Sequence, residues 1–380
     1  MKRLFLSILL IFPVGLSAQD LVEFQNGQVA DADDINANFQ ALKDSIDSVN
    51  SRERTFEVEV NCEDDPYALI NAYHDNIEYS QLFIGIQGDC FGDISYTADY
   101  ETYTQEFSQK LIIYGIADAS AAIIPRPKVG DCGNSNDPAG GVAGLVASFQ
   151  GSISLHNLDL RLGECDSFGL LYSRGSGGTV ENVSITGHPA TPKQNLLVVR
   201  HNSIIYTGNV SITGYGGDTV GIAVFNGGVL YSYGSHTVSV AGTALQMYAG
   251  GGFFSYGADI SFSAQTAIYI SKSRFENLPY AQTSMTTVDG DLTITNDSFF
   301  STTNLNFASE NEQSNRVERS YLHVASDISS ATEQKFQCNG DSTVDIGADY
   351  TIPYAEGTGC LNSFQWTDLI KNYCDVNNAC

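Results

Sequence analysis

Arginine, histidine and aromatic residues recur directly after a series of short aliphatic segments, and their spacing predicts a binding site. Each segment contains two aliphatic residues separated by one position, as in Leu197 and Val199. The first position after each segment holds Ser173, Arg200, Phe225, Tyr248 and Ser271 in turn, and the second holds Arg174, His201, Asn226, Ala249 and Lys272. A guanidinium group pairs with carboxylate or sulfate, and an aromatic ring stacks on the apolar face of a sugar. The pattern therefore predicts a site for an acidic sugar.

The predicted ligand-binding residues are Arg174, Arg200, His201, Phe225, Asn226 and Tyr248. The leading hypothesis is recognition of a polysaccharide or a surface partner without catalysis. A second hypothesis is a polysaccharide lyase, in which His201 or Tyr248 is the base and Arg174 or Arg200 neutralises a uronate. A third is a structural or adhesive rod, in which the arginine and histidine side chains only occupy solvated turns.

A second aromatic pattern is carried by Tyr206, Tyr233 and Tyr256. Two residues before them stand Ile204, Tyr231 and Phe254, and the segments VLYSYG and GGFFSYG read as the same turn in consecutive repeats. Facing outward, these columns would form a platform for a polysaccharide chain. Facing inward, they would be stacked core residues. The sequence leaves both interpretations open.

Carboxylate and metal-binding residues are sparse in the middle of the chain. Between Ser167 and Gly257 the acidic residues are Glu181 and Asp218, which belong to different repeats. A glycoside hydrolase needs two carboxyl groups at one place, so the sequence disfavours this activity. Asp289-Gly290-Asp291 lacks the full ligand series of a calcium loop, and the chain has no Cys-x-x-Cys pair. We predict no metal and no cofactor.

An internal repeat indicates which elements position these residues. The hexapeptide NVSITG occurs twice, 27 residues apart, at Asn182–Gly187 and Asn209–Gly214. We assign four related segments to the same phase: Leu158–Leu160, Val238–Val240, Ile260–Phe262 and Leu292–Ile294. Short alternating strands with a period of this size indicate a solenoid whose repeats stack on one another. An antiparallel β-sandwich also has short strands and turns, but it does not explain the recurring hexapeptide.

Several segments resemble a known family. They are IGIQGDCFGDI (Ile84–Ile94), KLIIYGIADASAAII (Lys110–Ile124), SISLHNLDLRL (Ser152–Leu162) and the NVSITG repeats. Residues 55–300 thereby resemble the right-handed parallel β-helix family, which has the pectate-lyase-like fold, and the resemblance implies an all-β solenoid from an exported bacterial protein. The motif trios of pectin-degrading hydrolases are absent, as are the acidic calcium cluster and paired arginine motif of pectate lyases. The resemblance therefore implies the fold and not pectin cleavage.

The chain divides into four predicted regions. Residues 1–18 read as a signal peptide, because Lys2-Arg3 precedes an apolar stretch too short to span a bilayer. Residues 19–54 are a short helical segment, residues 55–335 are the parallel β-helix with its N-terminal cap, and residues 336–380 are a Cys-rich C-terminal cap.

The helical segment has a narrow apolar seam. The seam residues follow heptad spacing and are Ile35, Phe39, Leu42, Ile46 and Val49. This pattern predicts either a short trimeric coiled coil or a helix that lies back on its own domain. The segment also resembles the N-terminal piece of exported bacterial repeat proteins and phage-fibre-like proteins, which favours a homotrimer.

In a chain with a predicted export signal the cysteines are expected to be paired, and the charge limits the partners. The eight cysteines imply disulfides, and pairing of neighbours predicts Cys62 with Cys90, Cys132 with Cys165, Cys338 with Cys360 and Cys374 with Cys380. The formal charge of −26 and the pI of about 4.3 disfavour nucleic acid and anionic membranes as partners. We expect the protein outside the cell or on the outer cell surface, with the periplasm as the alternative, and we expect no membrane span.

Overall fold

The fold is described by a computed structural model. The residues it describes are 35–44, 55–76, 79–92, 94–97, 110–117, 120–126, 144–278, 284–309, 314–330, 336–339, 342–346 and 361–362. The chain separates into two compact units, residues 1–54 and residues 55–380.

The second unit is a parallel β-solenoid of about nine turns. Its described residues form the helix α2 (Ala68–Asp75) and 25 strands. The strands are β1 Thr55–Asn61, β2 Gln81–Phe91, β3 Ile94–Thr97, β4 Lys110–Gly115, β5 Ala121–Ile124, β6 Gly144–Phe149, β7 Ser152–Arg161, β8 Phe168–Ser173, β9 Gly177–Thr186, β10 Asn195–Arg200, β11 Ile204–Gly214, β12 Val220–Phe225, β13 Val229–Ser232, β14 His236–Val240, β15 Thr243–Tyr248, β16 Gly252–Tyr256, β17 Ile260–Ser271, β18 Arg274–Leu278, β19 Met285–Thr295, β20 Phe299–Phe307, β21 Asn315–Glu318, β22 Tyr321–Ser330, β23 Phe336–Asn339, β24 Thr343–Ile346 and β25 Leu361–Asn362.

Each complete turn of the solenoid, here called a rung, contributes strand segments to three parallel ladders. In one rung, β10 belongs to the first ladder, the first half of β11 to the second, and the second half of β11 to the third. The chain bends between the two halves of β11 at Gly208 and Asn209. All the pairings among the described strands are parallel, as in β10 with β12 and β9 with β11. The predicted all-β parallel β-helix is confirmed, and the antiparallel sandwich is excluded.

The core consists of inward-facing columns that run along the solenoid axis. Leu197, Ile222, Leu245 and Ile268 are successive partners in the first ladder, and all four are fully buried. In the second ladder the rings of Phe253, Phe275 and Phe300 stack, with centroids 5.2 and 4.6 Å apart. Burying each such side chain contributes about 1.5–3 kcal/mol. The residues that alternate along each strand in the sequence therefore lie alternately in the core and on the surface.

The NVSITG repeats pair in register, but two of the related segments do not keep the assigned phase. Val183 pairs with Val210, as the repeat predicts. Val238 pairs with Ile212 rather than with Val210, whose partner is His236. The Leu292–Ile294 segment belongs to the first ladder, where it pairs with Ile268–Ile270. The assignment was wrong there because corners between strands differ in length, so spacing in the sequence does not give the register.

The N-terminal end of the solenoid is covered as the sequence predicts. β1 pairs with β2, and the intervening α2 buries Leu69, Ile70, Ala72 and Tyr73. The Asp65 carboxylate accepts a hydrogen bond from the Tyr67 backbone N–H at the start of this helix, at 3.0 Å. The predicted Cys62–Cys90 disulfide is present, with a Cα–Cα distance of 5.0 Å.

Two of the remaining six cysteines lie in the described part of the chain. Cys165 and Cys338 are disulfide-bonded. The cysteines predicted to pair with them or with each other lie outside the described residues; they are Cys132, Cys360, Cys374 and Cys380. Those three pairings stay predictions. Toward the C-terminus, β23 and β24 continue the ladders past residue 335, and Phe336, Cys338 and Val344 are buried in the same core.

The first unit contains the helix α1, residues 35–44. Its seam residues Ile35, Phe39 and Leu42 are 37%, 67% and 50% exposed in the single chain. Ile46, Val49 and the predicted signal peptide (residues 1–18) lie outside the described residues. Within the described part of the chain, the helices are too short and too polar to cross a membrane.

Candidate functional site

The three ladders give the solenoid three outer surfaces with different chemistry. We call the surface of the first ladder, which carries Arg200, Phe225 and Tyr248, the arginine face. The surface of the second ladder, which carries Tyr206, Tyr231 and Tyr256, is the tyrosine face. The third is the hydroxyl face, whose outward positions over four rungs are Ser184, Thr186, Ser211, Thr213, Thr237, Ser239, Ser261 and Ser263. The arginine and tyrosine faces meet at one corner of each rung.

The predicted column on the arginine face is present. Arg200, Phe225, Tyr248 and Ser271 are successive ladder partners. β8 pairs with β10, with Tyr172 opposite Val199, so Ser173 takes the same position one rung earlier. Beside this column lies a groove of about 150 Å³. Its lining includes apolar side chains from the strand interiors and three residues of the column, and consists of Ser167, Phe168, Leu171, Asn195, Val198, Arg200, Ala223, Phe225, Gln246 and Tyr248.

The second predicted position forms the corner between the arginine and tyrosine faces. Residues at this position have left-handed backbone conformations, with φ between 43° and 64°, in eight successive rungs: Gln150, Arg174, His201, Asn226, Ala249, Lys272, Asn296 and Arg319. A left-handed conformation costs roughly 1–2 kcal/mol for most L-amino acids, and glycine and asparagine tolerate it best. Four of the eight positions nevertheless hold a basic residue.

A hydrogen-bonded cluster holds Arg200 and the corner residue His201 together. The Arg200 Nε donates to the buried Ser173 hydroxyl at 3.3 Å, and the same hydroxyl lies 2.9 Å from Nδ1 of His201. Arg174 is the neighbour of Ser173 in the chain, and its guanidinium lies 5.6 Å from the Phe149 ring centroid. Arg174, Arg200 and His201 therefore stand on adjoining rungs, which are about 4.8 Å apart.

The aromatic members of the site form a continuous stack. The guanidinium of Arg200 lies 6.0 Å from the Phe225 centroid, and the Phe225 and Tyr248 rings are 4.6 Å apart and nearly parallel. Phe225 is therefore covered on both sides, so a ligand meets mainly ring edges. Burial raises the pKa of Tyr248, and the charge of Arg200 lowers it by a smaller amount.

The tyrosine column faces outward, but its register differs from the predicted one. Tyr206, Tyr233 and Tyr256 are 43%, 60% and 37% exposed. Tyr206 pairs in the ladder with Tyr231, and Tyr231 with Phe254, so Ile204 does not head that column as predicted. The next rung has three residues, Tyr233-Gly234-Ser235, at the corner where Gly208-Asn209 stand in the previous one, and this insertion shifted the alignment.

Ring contacts still join the two tyrosine columns. The Tyr206 ring stacks with Tyr231 at 5.5 Å and with Tyr233 at 6.0 Å. From there, Tyr231 stacks with Phe254 at 5.6 Å and Tyr233 with Tyr256 at 5.8 Å. Five aromatic side chains therefore cover the tyrosine face over three rungs, and these are the rungs that carry Arg200, Phe225 and Tyr248.

A concentration of basic residues around the corner was not predicted as a whole. Eleven lysine and arginine residues lie in the described part of the chain, and six of them are on the arginine face, at the corner or at the adjoining edge of the tyrosine face: Arg174, Arg200, Lys272, Arg274, Arg316 and Arg319. Arg274 and Arg316 are paired with Glu276 and Glu318. The signal was present in the sequence as the recurring position after each strand, which also includes Lys272.

Two further observations limit the chemistry. Among the described residues, no group of three or more His, Cys, Asp and Glu side chains is arranged to hold a metal ion. Glu181 and Asp218 stand in different rungs, Glu181 in β9 and Asp218 in the loop before β12.

Comparison of the chain with protein families, with curated proteins and with solved structures finds no match. We therefore infer the function from the geometry of the arginine face and its corner.

Proposed function

We propose that the protein binds an acidic polysaccharide, without cleaving it, at the arginine face. The carboxylate or sulfate of one sugar unit pairs with Arg200 and Arg174 and accepts a hydrogen bond from His201. The rest of that unit lies in the groove beside Phe225 and Tyr248. The observation that carries the proposal is the placement of basic residues at left-handed corner positions beside this groove.

The backbone conformation supports a role for these side chains beyond filling a turn. The opposite corner, between the tyrosine and hydroxyl faces, has left-handed φ angles at Asn157, Asn182 and Asn209. Their side chains form a ladder of amide hydrogen bonds at 2.9 and 3.0 Å. Asparagine thus satisfies that corner at low cost. Arginine and histidine at Arg174 and His201 are more strained choices, and strained residues concentrate at functional sites.

Electrostatics restricts where an anionic ligand can bind. The whole chain carries a formal charge of −26, so its average field repels a polyanion. Arg174 and Arg200 form a local exception, and among the described residues Arg200 contacts the Ser173 hydroxyl and the Phe225 ring rather than a carboxylate. Binding that depends on such a local cluster weakens as salt screens it, with a screening length of about 8 Å at physiological ionic strength.

The same geometry disfavours the lyase hypothesis. A base for proton abstraction at neutral pH has to be deprotonated, and the raised pKa of Tyr248 keeps its proton in place. When Ser173 accepts from Arg200 and donates to Nδ1 of His201, the ring proton is on Nε2, which then acts as a donor to a ligand. Both candidate bases are therefore better suited to binding than to catalysis.

Localisation and partners follow from this proposal. An acidic polysaccharide is met outside the cell, which agrees with the predicted signal peptide of residues 1–18 and with the predicted disulfides. A homotrimer formed through residues 19–54 would present three copies of the site to one polysaccharide and raise its avidity. Export and trimer formation are parts of the proposal.

The test is binding of the purified protein to dextran sulfate, polygalacturonate and alginate, with neutral dextran as the control polymer. We expect binding to at least one acidic polymer, and a loss of about ten- to a hundredfold for Arg200→Gln, because a charged hydrogen bond contributes about 1.5–3 kcal/mol. Arg161→Gln, an exposed arginine in β7 away from the corner, is the matched control and should bind as the wild type. No binding to any acidic polymer, or equal affinity of Arg200→Gln, would contradict the proposal. Release of unsaturated sugar products would favour the polysaccharide lyase hypothesis, whereas an intact polymer would favour binding without cleavage.

A further inference from the structure

The corner between the arginine and tyrosine faces has only short side chains in two of its middle rungs. Two consecutive rungs cross it with small residues, Asn226-Gly227-Gly228 and Ala249-Gly250-Gly251. We call these six residues the glycine notch. Gly227 and Gly250 have φ angles of 76° and 83°, and a Cβ on Gly251 would lie 2.3 Å from a backbone carbonyl oxygen. The backbone therefore favours glycine after Asn226 and Ala249, and these two rungs carry no long side chain at the corner.

Larger side chains border the notch on both sides. His201 and Asn202 stand on the preceding rung, and Lys272 and Arg274 on the following one. A concavity of about 300 Å³ extends from the notch toward the second border, and Gly250, Gly251, Lys272, Ser273, Arg274, Asp297 and Phe299 line it. Lys272 and Arg274 are balanced there by Asp297 and by Glu276, which pairs with Arg274. The floor of this passage is thus close to electrically neutral.

The notch connects the two aromatic surfaces. On one side, the rungs of the notch carry Phe225 and Tyr248 of the arginine face. On the other side, the same rungs carry Tyr231 with Tyr233, and Phe254 with Tyr256. The inward aromatic residue of the same strands, Phe253, has no hydroxyl group. The outward positions are mostly tyrosine, so their phenol groups are available to donate and accept hydrogen bonds.

We propose that the bound polysaccharide passes through the glycine notch, so that the tyrosine face is a second subsite for further sugar units of the same chain. This inference rests on the proposed function. Charge decides the direction: the acidic group of one unit binds at Arg174 and Arg200, where positive charge is concentrated, and the units beyond it contact the uncharged tyrosine face through their rings and hydroxyl groups. A chain lying along the axis of the arginine face would meet no such change of chemistry.

A charge-adding substitution distinguishes the two directions. Arginine already occupies the equivalent left-handed position at Arg174 and Arg319, so Ala249→Arg is compatible with this corner. It fills the notch and adds one positive charge. We expect its affinity for the acidic polymer bound by the wild type, among dextran sulfate, polygalacturonate and alginate, to fall about tenfold through steric exclusion, or roughly 1.4 kcal/mol. Unchanged or tighter binding would contradict passage of the polysaccharide through the notch, because the added positive charge attracts a polysaccharide that lies along the axis of the arginine face. Ala241→Arg adds the same charge at an exposed site on another corner and serves as the control.

A second pair of variants tests the tyrosine face itself. Tyr233 and Tyr215 are both exposed, at 60% and 52%, so neither supports the core. We expect Tyr233→Ser to weaken polymer binding several-fold and Tyr215→Ser, in the loop after the hydroxyl face, to leave it unchanged. If both variants bind the polymer with the affinity of the wild type, the tyrosine face is not a second subsite. Loss of binding in Arg200→Gln with normal binding in Ala249→Arg and Tyr233→Ser keeps the proposed function and rejects this inference. A wild type that binds none of the three polymers rejects both.

Discussion

Lys272→Asn should make the protein more stable. Lys272 has a left-handed backbone with φ of 51°, and the same corner position holds asparagine at Asn226 and Asn296. The left-handed conformation costs most residues roughly 1–2 kcal/mol and asparagine less, so the substitution should recover about 0.5–1 kcal/mol. The opposing effect is loss of a favourable charge on an acidic protein. Exposed charge pairs contribute about 0–1 kcal/mol and are screened in 0.15 M salt, so relief of strain should prevail.

Arg174→Asn provides the comparison. Its φ of 59° implies a similar strain, but its guanidinium lies 5.6 Å from the Phe149 ring centroid. An exposed contact of this kind contributes about 0.5–1 kcal/mol, so the gain and the loss should nearly cancel. Arg174→Asn should therefore leave stability almost unchanged while it weakens polysaccharide binding.

Urea denaturation at pH 7 and 0.15 M salt measures both variants against the wild type. We expect a higher midpoint for Lys272→Asn and an unchanged midpoint for Arg174→Asn. A lower midpoint for Lys272→Asn would refute the argument that the basic corner residues are held at a cost to stability. In that case their placement would need no functional explanation.

Two other predictions concern the core and the assembly. Burial lowers the pKa of His236 to about 4, although a hydrogen bond to the Gly234 carbonyl raises it. The unfolded chain binds this proton near pH 6.5, so stability is complete above that pH and falls by about 3 kcal/mol between pH 6.5 and pH 4. His236→Val, which introduces the residue type of its ladder partner Val210, should remove this part of the pH dependence of the urea midpoint, and an identical pH profile would contradict it. Light scattering should show a trimer for the chain beginning at residue 19 and a monomer once residues 19–54 are deleted, and a monomer in both cases would refute the coiled coil.

The fold could be predicted because the solenoid repeats a local pattern. Pairs such as Leu197 and Val199 alternate with surface residues, and each pair stacks on the next, so one rung predicts its neighbours. The Cys62–Cys90 disulfide followed from pairing of neighbouring cysteines. These features depend on contacts between adjacent rungs, which a repeat in the sequence records directly.

The orientation of the tyrosine columns could not be predicted, for a physical reason. In β13 and β16 both strand faces carry apolar or aromatic residues, as in Leu230 beside Tyr231 and Phe253 beside Phe254, so alternation does not reveal which one is buried. The register failed where a corner gained a residue, at Tyr233. A shift at a corner changes the spacing in the sequence while the ladder hydrogen bonds stay in place.

The candidate site was predicted as a column of residues but not as a surface. The positions of Arg174, Arg200 and His201 followed from the repeat. Their left-handed backbone, the Ser173 hydroxyl between them and the glycine notch depend on how the chain turns between ladders. The residue at this corner varies from glutamine to arginine, so the sequence does not reveal the left-handed conformation that successive rungs share.

The most direct test of the central claim is a glycan array probed in parallel with the wild type and with Arg200→Gln. We expect the wild type to bind glycans that bear carboxylate or sulfate groups and not their neutral counterparts, and we expect Arg200→Gln to lose binding to the acidic glycans. Failure of the wild type to bind any acidic glycan, or the same binding profile for both proteins, would contradict that claim.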